Sequence, residues 1–576
     1  METNKNNQFF NIILGIIGLS PFIYWISTRI NQDSWWDELI SLRSFALVDL
    51  GTTISDYPEP NNHILFNLIN NIYTRILGVR DFYENLDYMY NLRILQAFFA
   101  LVTIYYSFLI IRKFFSKSYA FIVVAILSST IPFLNFSLQL RGYNISMMFS
   151  VMLIFYVWNY FQEKRKLDLF LITGIVFSLL YTIPSNIYFL FAVAVTVLFS
   201  WKRERAEFKK QIEPKSKKKK KDKLPSVFEK IDKAYFLLIV AVLSGLILTY
   251  FAYLPVMENL LDNRFVSKAP AERFYVTTNL LPIILTSFLS ARWLILLILG
   301  AIVFFSPLFN SKMKNNTIIG KYKIRSLVAI LILPFLFITM HNKLPFQRTF
   351  IVLAPIFALI ISVWIIQLIE YLNLKTNYKY LILSALSIYF VITSYVELEN
   401  NDKQLSLNLQ SEIREQNIYR NFYLTKDFTP HALAKKIAKM ENPKTPVLML
   451  DELDRVSLTY YLEKYDIQSQ AVIRIQDKPV NLKGQNYNQV GLIQKSVGKN
   501  IDLNFMQIPC NLTLNPKLNP YLLLLSLNSQ PASGKSILIS AFPNRVEEFK
   551  SKIDQYQFNE IDQGSFVQLY EVSKKF

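Results

Sequence analysis

A chain of 576 residues with 52% hydrophobic residues carries more apolar sequence than a soluble protein of this size buries, so a wholly soluble enzyme is excluded. The net charge of +20 does not mark a nucleic-acid binder. Much of the excess sits in one loop around the low-complexity tract Lys217 to Lys221, without interleaved aromatics, and such a loop attracts anionic headgroups and fixes topology. The single cysteine, Cys510, excludes an intrachain disulfide and reads as a small buried residue rather than a nucleophile.

Apolar runs of about 17 to 21 residues match the roughly 30 Å hydrocarbon core. They fall near 9–29, 94–111, 119–137, 144–161, 167–183, 187–201, 234–254, 292–309, 325–340, 349–369 and 380–396, which predicts about eleven spans. The first run lacks a small-residue cleavage site and is expected to remain as an anchor. Arg112 and Lys113, Lys164 to Lys166, Lys202 to Lys233, and Lys312 to Arg325 all fall on one face of this topology, which makes that face cytoplasmic. Counting Val276 to Ser290 as a further span would move the last of these basic loops outside, so it reads as an interfacial or re-entrant helix.

The loop Ile30 to Asn91 is then on the outer face, and it is too long for a simple connector. Leu39, Leu42, Phe45 and Ala46 recur at helical spacing, as do Ile64, Leu65, Leu68, Ile69 and Ile72, which predicts short amphipathic helices lying on the membrane. Residues 397–576 have the composition of a soluble domain, also outside. Strands are predicted at Val447 to Leu450, Tyr521 to Leu527, Ser536 to Ser540 and Phe566 to Val572, with helices at Pro430 to Met440, Ser457 to Tyr465 and Pro543 to Tyr556, an α/β pattern. Ser533 to Ser536 only mimics a phosphate-binding loop, because Ser529 stands where the earlier glycine is required. Asp451, Glu452 and Asp454 read as a solvated acidic turn.

The chemistry-bearing residues cluster in the outer loop, as Trp35-Trp36-Asp37-Glu38 and Pro60-Asn61-Asn62-His63. Adjacent carboxylates point in different directions on a helix or strand, so one can face a substrate while its neighbour holds the loop or a metal. A carboxylate beside a cleft takes a proton from an attacking hydroxyl or amine. The same pair also fits acids in the first turn of a helix, stabilised by its dipole.

Asp37-Glu38 soon after the first span, Asn61-Asn62-His63 before an interfacial helix, Arg93 opening the second span, Arg141-Gly142-Tyr143 after the third, and Pro345-Phe346-Gln347-Arg348 followed by Pro355 together resemble the GT-C glycosyltransferases. The similarity is greatest to the bacterial branch related to protein O-mannosyltransferases and lipid A aminoarabinose transferases, and covers roughly 9–396.

The resemblance implies a polytopic α-helical GT-C module over 1–396, with an outer-face α/β domain at 397–576. It implies transfer of a sugar from a polyprenyl-phosphate donor, entering from the lipid, to a protein, lipid or glycan acceptor, with inversion and with Asp37 as general base. Arg141 and Arg348, then Arg93 and Arg292, become candidate phosphate ligands, although arginine at a span end is also an ordinary anchor. Asn62, His63 and Tyr143 become candidate substrate contacts. The commoner family motif has two prolines after the histidine, where this chain has Ile64-Leu65-Phe66, so His63 either ligates a divalent metal with Glu38, bonds the acceptor, or ties the loop together.

A polysaccharide polymerase or ligase would place its basic and histidine residues in a large loop nearer the C-terminal half. A transporter or flippase would carry charges at span centres and repeat symmetry. The Asn, Lys and Ile richness without cysteine pairs favours a bacterial inner membrane.

Overall fold

The computed structural model describes residues 2–57, 62–212, 224–261, 267–268, 282, 318–341, 343–344, 347–410, 429–440, 447–449, 452–467, 469–475, 480–482, 485–495, 502–509, 537–541, 556–563 and 568–574. Helix α1 (Glu2–Arg29) leads into a region of short elements: α2 (Trp36–Ser41), a π-turn (Leu42–Ala46), α3 (Leu50–Ser55), α4 (Ile64–Leu77) and α5 (Phe82–Asp87). The bundle continues with α6 (Tyr90–Phe114), α7 (Lys117–Ser128), α8 (Ile131–Ser137), α9 (Tyr143–Glu163), α10 (Lys166–Thr182), α11 (Ile187–Ile212), α12 (Leu224–Tyr253) and the short α13 (Met257–Leu261). It closes with α14 (Ile318–His341), α15 (Ala354–Tyr371) and α16 (Thr376–Gln410).

Seven of the described helical segments are long and apolar enough to cross a membrane, or eight if the bent pair α7 and α8 counts as one span. The other expected spans fall on α10, which has 17 residues, on the shorter apolar segment Ser326–His341, and on 292–309. The last, which begins at Arg292, lies outside the described residues, and so does the expected interfacial helix at 276–290 apart from Pro282. Burial ranks the helices: the segment Arg348–Tyr371 is 89% buried and forms the centre of the bundle, whereas Asp232–Leu261 is 28% buried. The latter turns Phe236, Leu243, Ile247 and Phe251 outward, as a helix facing lipid does.

The expected continuous span at 119–137 is in fact broken, with α7 and α8 meeting at 73°. Ser129 ends α7 and Thr130 caps α8, with Pro132 in its first turn, where a missing N–H costs nothing. The break directs residues 138–142 back against α2.

The helices between α1 and α6 also depart from expectation. Leu39, Leu42, Phe45 and Ala46 are buried in protein rather than spread on lipid. Helix α4 is amphipathic with its polar stripe inward: Asn67, Asn70, Asn71 and Thr74 are buried, and Ile72, Ile76 and Leu77 are exposed. The inward amides are used, since Asn71 Nδ2 reaches the Val48 carbonyl at 2.9 Å and Thr53 Oγ1 at 3.0 Å.

Beyond α16 lie α17 (Pro430–Ala438), α18 (Glu452–Lys464) and a mixed sheet. A two-residue pair, β1 (Ser267–Lys268) with β2 (Lys343–Leu344), precedes them in the chain. The sheet contains β3 (Val447–Met449), β4 (Ser469–Ile475), β5 (Val480–Leu482), β6 (Gln485–Lys495), β7 (Asp502–Pro509), β8 (Ile537–Ala541), β9 (Tyr556–Gln563) and β10 (Gln568–Lys574) in the order β5-β6-β4-β3-β8-β10-β9, with β7 on β6. β3 pairs in parallel with both β4 and β8, and α18 supplies the crossover that a β3-to-β4 parallel connection requires. The predicted strand Tyr521 to Leu527 and nearly all of the predicted helix Pro543 to Tyr556 lie outside the described residues.

Candidate active site

Asp37 and Glu38 sit in the first turn of α2, and the two carboxylates part ways there. Glu38 turns inward. Its Oε2 accepts the Trp35 N–H at 3.2 Å, closing the helix start, and its Oε1 accepts the Leu140 N–H at 2.8 Å. The Arg93 guanidinium completes the set at 3.3 Å, with both side chains fully buried. Arg93 also donates to the Arg29 carbonyl at 3.2 Å, to the Gln32 carbonyl and to Ser34 Oγ at 3.2 Å. One ion pair therefore ties the end of α1, the start of α2, the start of α6 and the break before α9. That geometry differs from the phosphate-ligand role expected of Arg93 and from a metal role for Glu38.

Asp37 turns the other way. Its Oδ2 accepts from Arg348 Nη1 at 2.8 Å, across 311 residues of sequence. Arg348 rides on the 3₁₀ turn Gln347–Leu353, where Phe350, Ile351, Val352 and Leu353 are buried and Phe350 stacks on Phe335 at 5.0 Å. The guanidinium lies over the Trp35 ring at 5.1 Å. Its side chain is 24% exposed against 6% for Asp37, so the arginine is the more accessible member of the pair.

Arg141 stands behind them. It donates to Ser41 Oγ at 2.6 Å and to the Asp37 carbonyl at 3.4 Å, and lies 5.9 Å from the Tyr143 ring. The structure thus brings Asp37, Arg141 and Arg348 together.

His63 caps α4, and its Nδ1 accepts the Gly142 N–H at 2.8 Å, which leaves the proton on Nε2. Burial holds its pKa well below the usual imidazole value, and the charges of Arg141 and Arg348 add to the depression. The ring packs edge-on against Tyr143 at 5.1 Å. Of the roles open to His63, tying the loop to the α8–α9 turn is the one this geometry performs. Asn62 is a clasp as well: its Nδ2 donates to the Thr53 and Asp56 carbonyls at 3.1 and 2.7 Å, and its Oδ1 accepts from Asn67 at 2.9 Å. Tyr143 is buried between His63 and Phe136. Among the described residues no group of three or more His, Cys, Asp or Glu side chains converges on a metal position.

Tyr57 escaped the sequence analysis. It is buried beside Tyr181 and Tyr253, and burial pushes its phenol up to about 12 while the nearby Arg141 charge opposes the shift. Its hydroxyl therefore stays protonated as a hydrogen-bond donor. Lying outside every motif, a tyrosine in a polar loop gives no sequence signal.

A bundle of apolar helices carrying this carboxylate–guanidinium site defines a multi-pass membrane protein. Residues 66–213, a minority of the chain, match the family model of dolichyl-phosphate-mannose-protein mannosyltransferases. The match includes Arg93, Arg141 and Tyr143, and begins after Asp37 and His63. No curated protein matches the chain by sequence. Among solved structures the chain is similar to ArnT from Cupriavidus metallidurans in the apo state (TM-score 0.46, 10% identity, 99% of this chain and 98% of that one). It is similar to the same protein bound to undecaprenyl phosphate (TM-score 0.44, 10% identity, 97% of each). A third is the Archaeoglobus fulgidus oligosaccharyltransferase with zinc and sulfate (TM-score 0.41, 11% identity, 95% and 80%). At these TM-scores the likeness carries no weight of its own.

Proposed function

We propose that this protein is an inverting glycosyltransferase that moves a sugar from a polyprenyl-phosphate donor to an acceptor at the outer face of a bacterial cytoplasmic membrane. The observation that carries this reading is the Asp37–Arg348 pair with Arg141 behind it. An arginine that a phosphate can bind is joined to a carboxylate that can take a proton. The family match to enzymes named for a dolichyl-phosphate donor supports the lipid-phosphate class.

In the resting site Arg348 neutralises Asp37. An arriving donor phosphate competes for the guanidinium, which forms stronger, paired bonds with phosphate than a single contact to a carboxylate. Asp37 is then released as a base. It takes the proton of the acceptor hydroxyl or amine as that atom attacks the anomeric carbon, and the bond from that carbon to the phosphate oxygen breaks with its electron pair leaving on polyprenyl phosphate. Arg348 and Arg141 oppose the charge gathering on the leaving phosphate. Arg112, Lys113 and Lys164, at the ends of α6 and α9 away from the site, support the outward orientation, and the segment 397–576 then also lies outside, where it binds the acceptor.

The test is turnover of a panel of polyprenyl-phosphate sugars by the full-length protein in lipid nanodiscs with an envelope extract. Release of free polyprenyl phosphate, with the anomeric configuration of the product inverted, supports the proposal. Product of retained configuration contradicts it.

A further inference from the structure

Two helices far along the chain reach back to the segment that carries Asp37. The Tyr461 hydroxyl of α18 accepts the Ser34 N–H at 2.9 Å, and Tyr461 is fully buried. Ser34 immediately precedes Trp35, the residue that caps α2, and its hydroxyl is held from the other side by Arg93. Both ends of Ser34 are thus clamped in a dry setting, where an unmade hydrogen bond is costly.

Further contacts flank this bond. Arg43 pairs with Glu463, with Nη2 to Oε1 at 3.0 Å, and Lys464 donates to the Tyr83 carbonyl at 2.9 Å and to the Asp87 carboxylate. The His431 N–H, in the first turn of α17, meets Asp33 Oδ2 at 2.8 Å, and its ring stacks on Tyr461 at 5.2 Å. The ion pairs reach solvent on at least one side and contribute little beyond docking. Of these contacts from α17 and α18, the Tyr461 bond is the one made to the backbone that leads into α2, which Glu38 and Arg93 hold from the other side.

Resting on the transferase reading above, we propose that Tyr461 is a positioning residue for the transfer: its hydroxyl fixes the backbone at Ser34 and thereby the direction in which α2 presents the Asp37 carboxylate. Asp37 is three residues from the clamp, and a base displaced by about 1 Å loses on the order of a hundredfold in rate. Tyr461 of α18 then serves the reacting site from a helix far along the chain.

The experiment compares full-length wild type, Tyr461→Phe and Lys464→Met in nanodiscs, with a donor that wild type consumes. Tyr461→Phe is expected to lower kcat by about ten- to a hundredfold with the donor KM within about twofold. It is expected to add nothing in an Asp37→Asn background, which a general loss of fold would not reproduce. Lys464→Met breaks the contacts to Tyr83 and Asp87 without touching Ser34 and is expected within about twofold of wild type. Unchanged kcat in Tyr461→Phe, or an equal loss in Lys464→Met, overturns the proposal. If wild type consumes no donor, the functional reading fails first, and amide exchange still tests the clamp. Faster exchange confined to 30–41 in Tyr461→Phe supports it, and equal exchange overturns it.

Discussion

Arg348 holds the Asp37 carboxylate at 2.8 Å from a turn 311 residues further along the chain, and the arginine is the more exposed of the two. The pair brings the segment between α1 and α6 and the start of the central span of the bundle to one point. If Arg348 hands itself from Asp37 to the donor phosphate, Arg348→Ala removes a charge-stabilising group and is expected to lower kcat/KM by about a hundred- to a thousandfold. Arg348→Lys keeps the charge without the planar fork and should fall between Ala and wild type. Polyprenyl phosphate release across a donor titration checks both.

Glu38 and Arg93 carry a different prediction, because both are fully buried and joined to several backbone groups. Removing one partner leaves an uncompensated buried charge, so Glu38→Gln or Arg93→Met is expected to destabilise by about 3 to 5 kcal/mol. Replacing both should cost less than the sum. Thermal unfolding of the detergent-solubilised protein measures the difference.

Gly142 is fixed by proximity rather than by its backbone angle, with φ at −67°. An added Cβ would lie 2.6 Å from Thr182 Cγ2 and 3.0 Å from His63 Nδ1. Gly142→Ala is therefore expected to push His63 away and to cost about 1 to 3 kcal/mol as overpacking does. The same melting assay reads the stability, and donor turnover reads the displaced site.

Asp33 supplies a pH dependence. Burial pushes its carboxyl up to about 7, against the His431 N–H and the Arg93 charge, which favour the ionised form. The folded protein thus keeps a proton up to about pH 7 that the unfolded chain releases near its ordinary value of 3.8. Folded material binds more protons across that window, so stability falls as pH rises from about 4 to 7 and levels off above it. Asp33→Asn still accepts the His431 N–H and should be more stable than wild type at pH 8 by about 1 to 2 kcal/mol after solvent screening, with no gain near pH 4. Melting temperatures of both proteins across that range decide it.

Apolar run length made most of the bundle legible, since burial in lipid needs only composition and length. The break at Ser129 and Thr130 was not, because an apolar run reads the same whether the helix continues or turns by 73°. Strands β3, β8 and β10 fall on apolar runs, but β6 and β7 mix Asn, Gln and Asp into their alternation and gave no such signal. At the site, the order of motifs singled out Asp37, Arg141 and Arg348, whereas the division of labour between Asp37 and Glu38 depends on which face of a six-residue helix meets Arg93. Asn62 and His63 belong to the motif yet spend their polar atoms on backbone and a neighbouring side chain, a distinction only the fold makes. Tyr57 and Tyr461 make contacts distant in sequence, which leave no trace in it.

Whether Asp37 is the base is decided by comparing donor consumption by wild type and Asp37→Asn in nanodiscs, each verified as folded by its melting profile. Asparagine keeps the size and can still accept from Arg348, but it cannot take a proton. With Asp37 as the base, wild type is expected to release polyprenyl phosphate and Asp37→Asn to lose about a hundred- to ten-thousandfold, with donor binding retained. Equal release by the two proteins would contradict this and remove Asp37 from the chemistry.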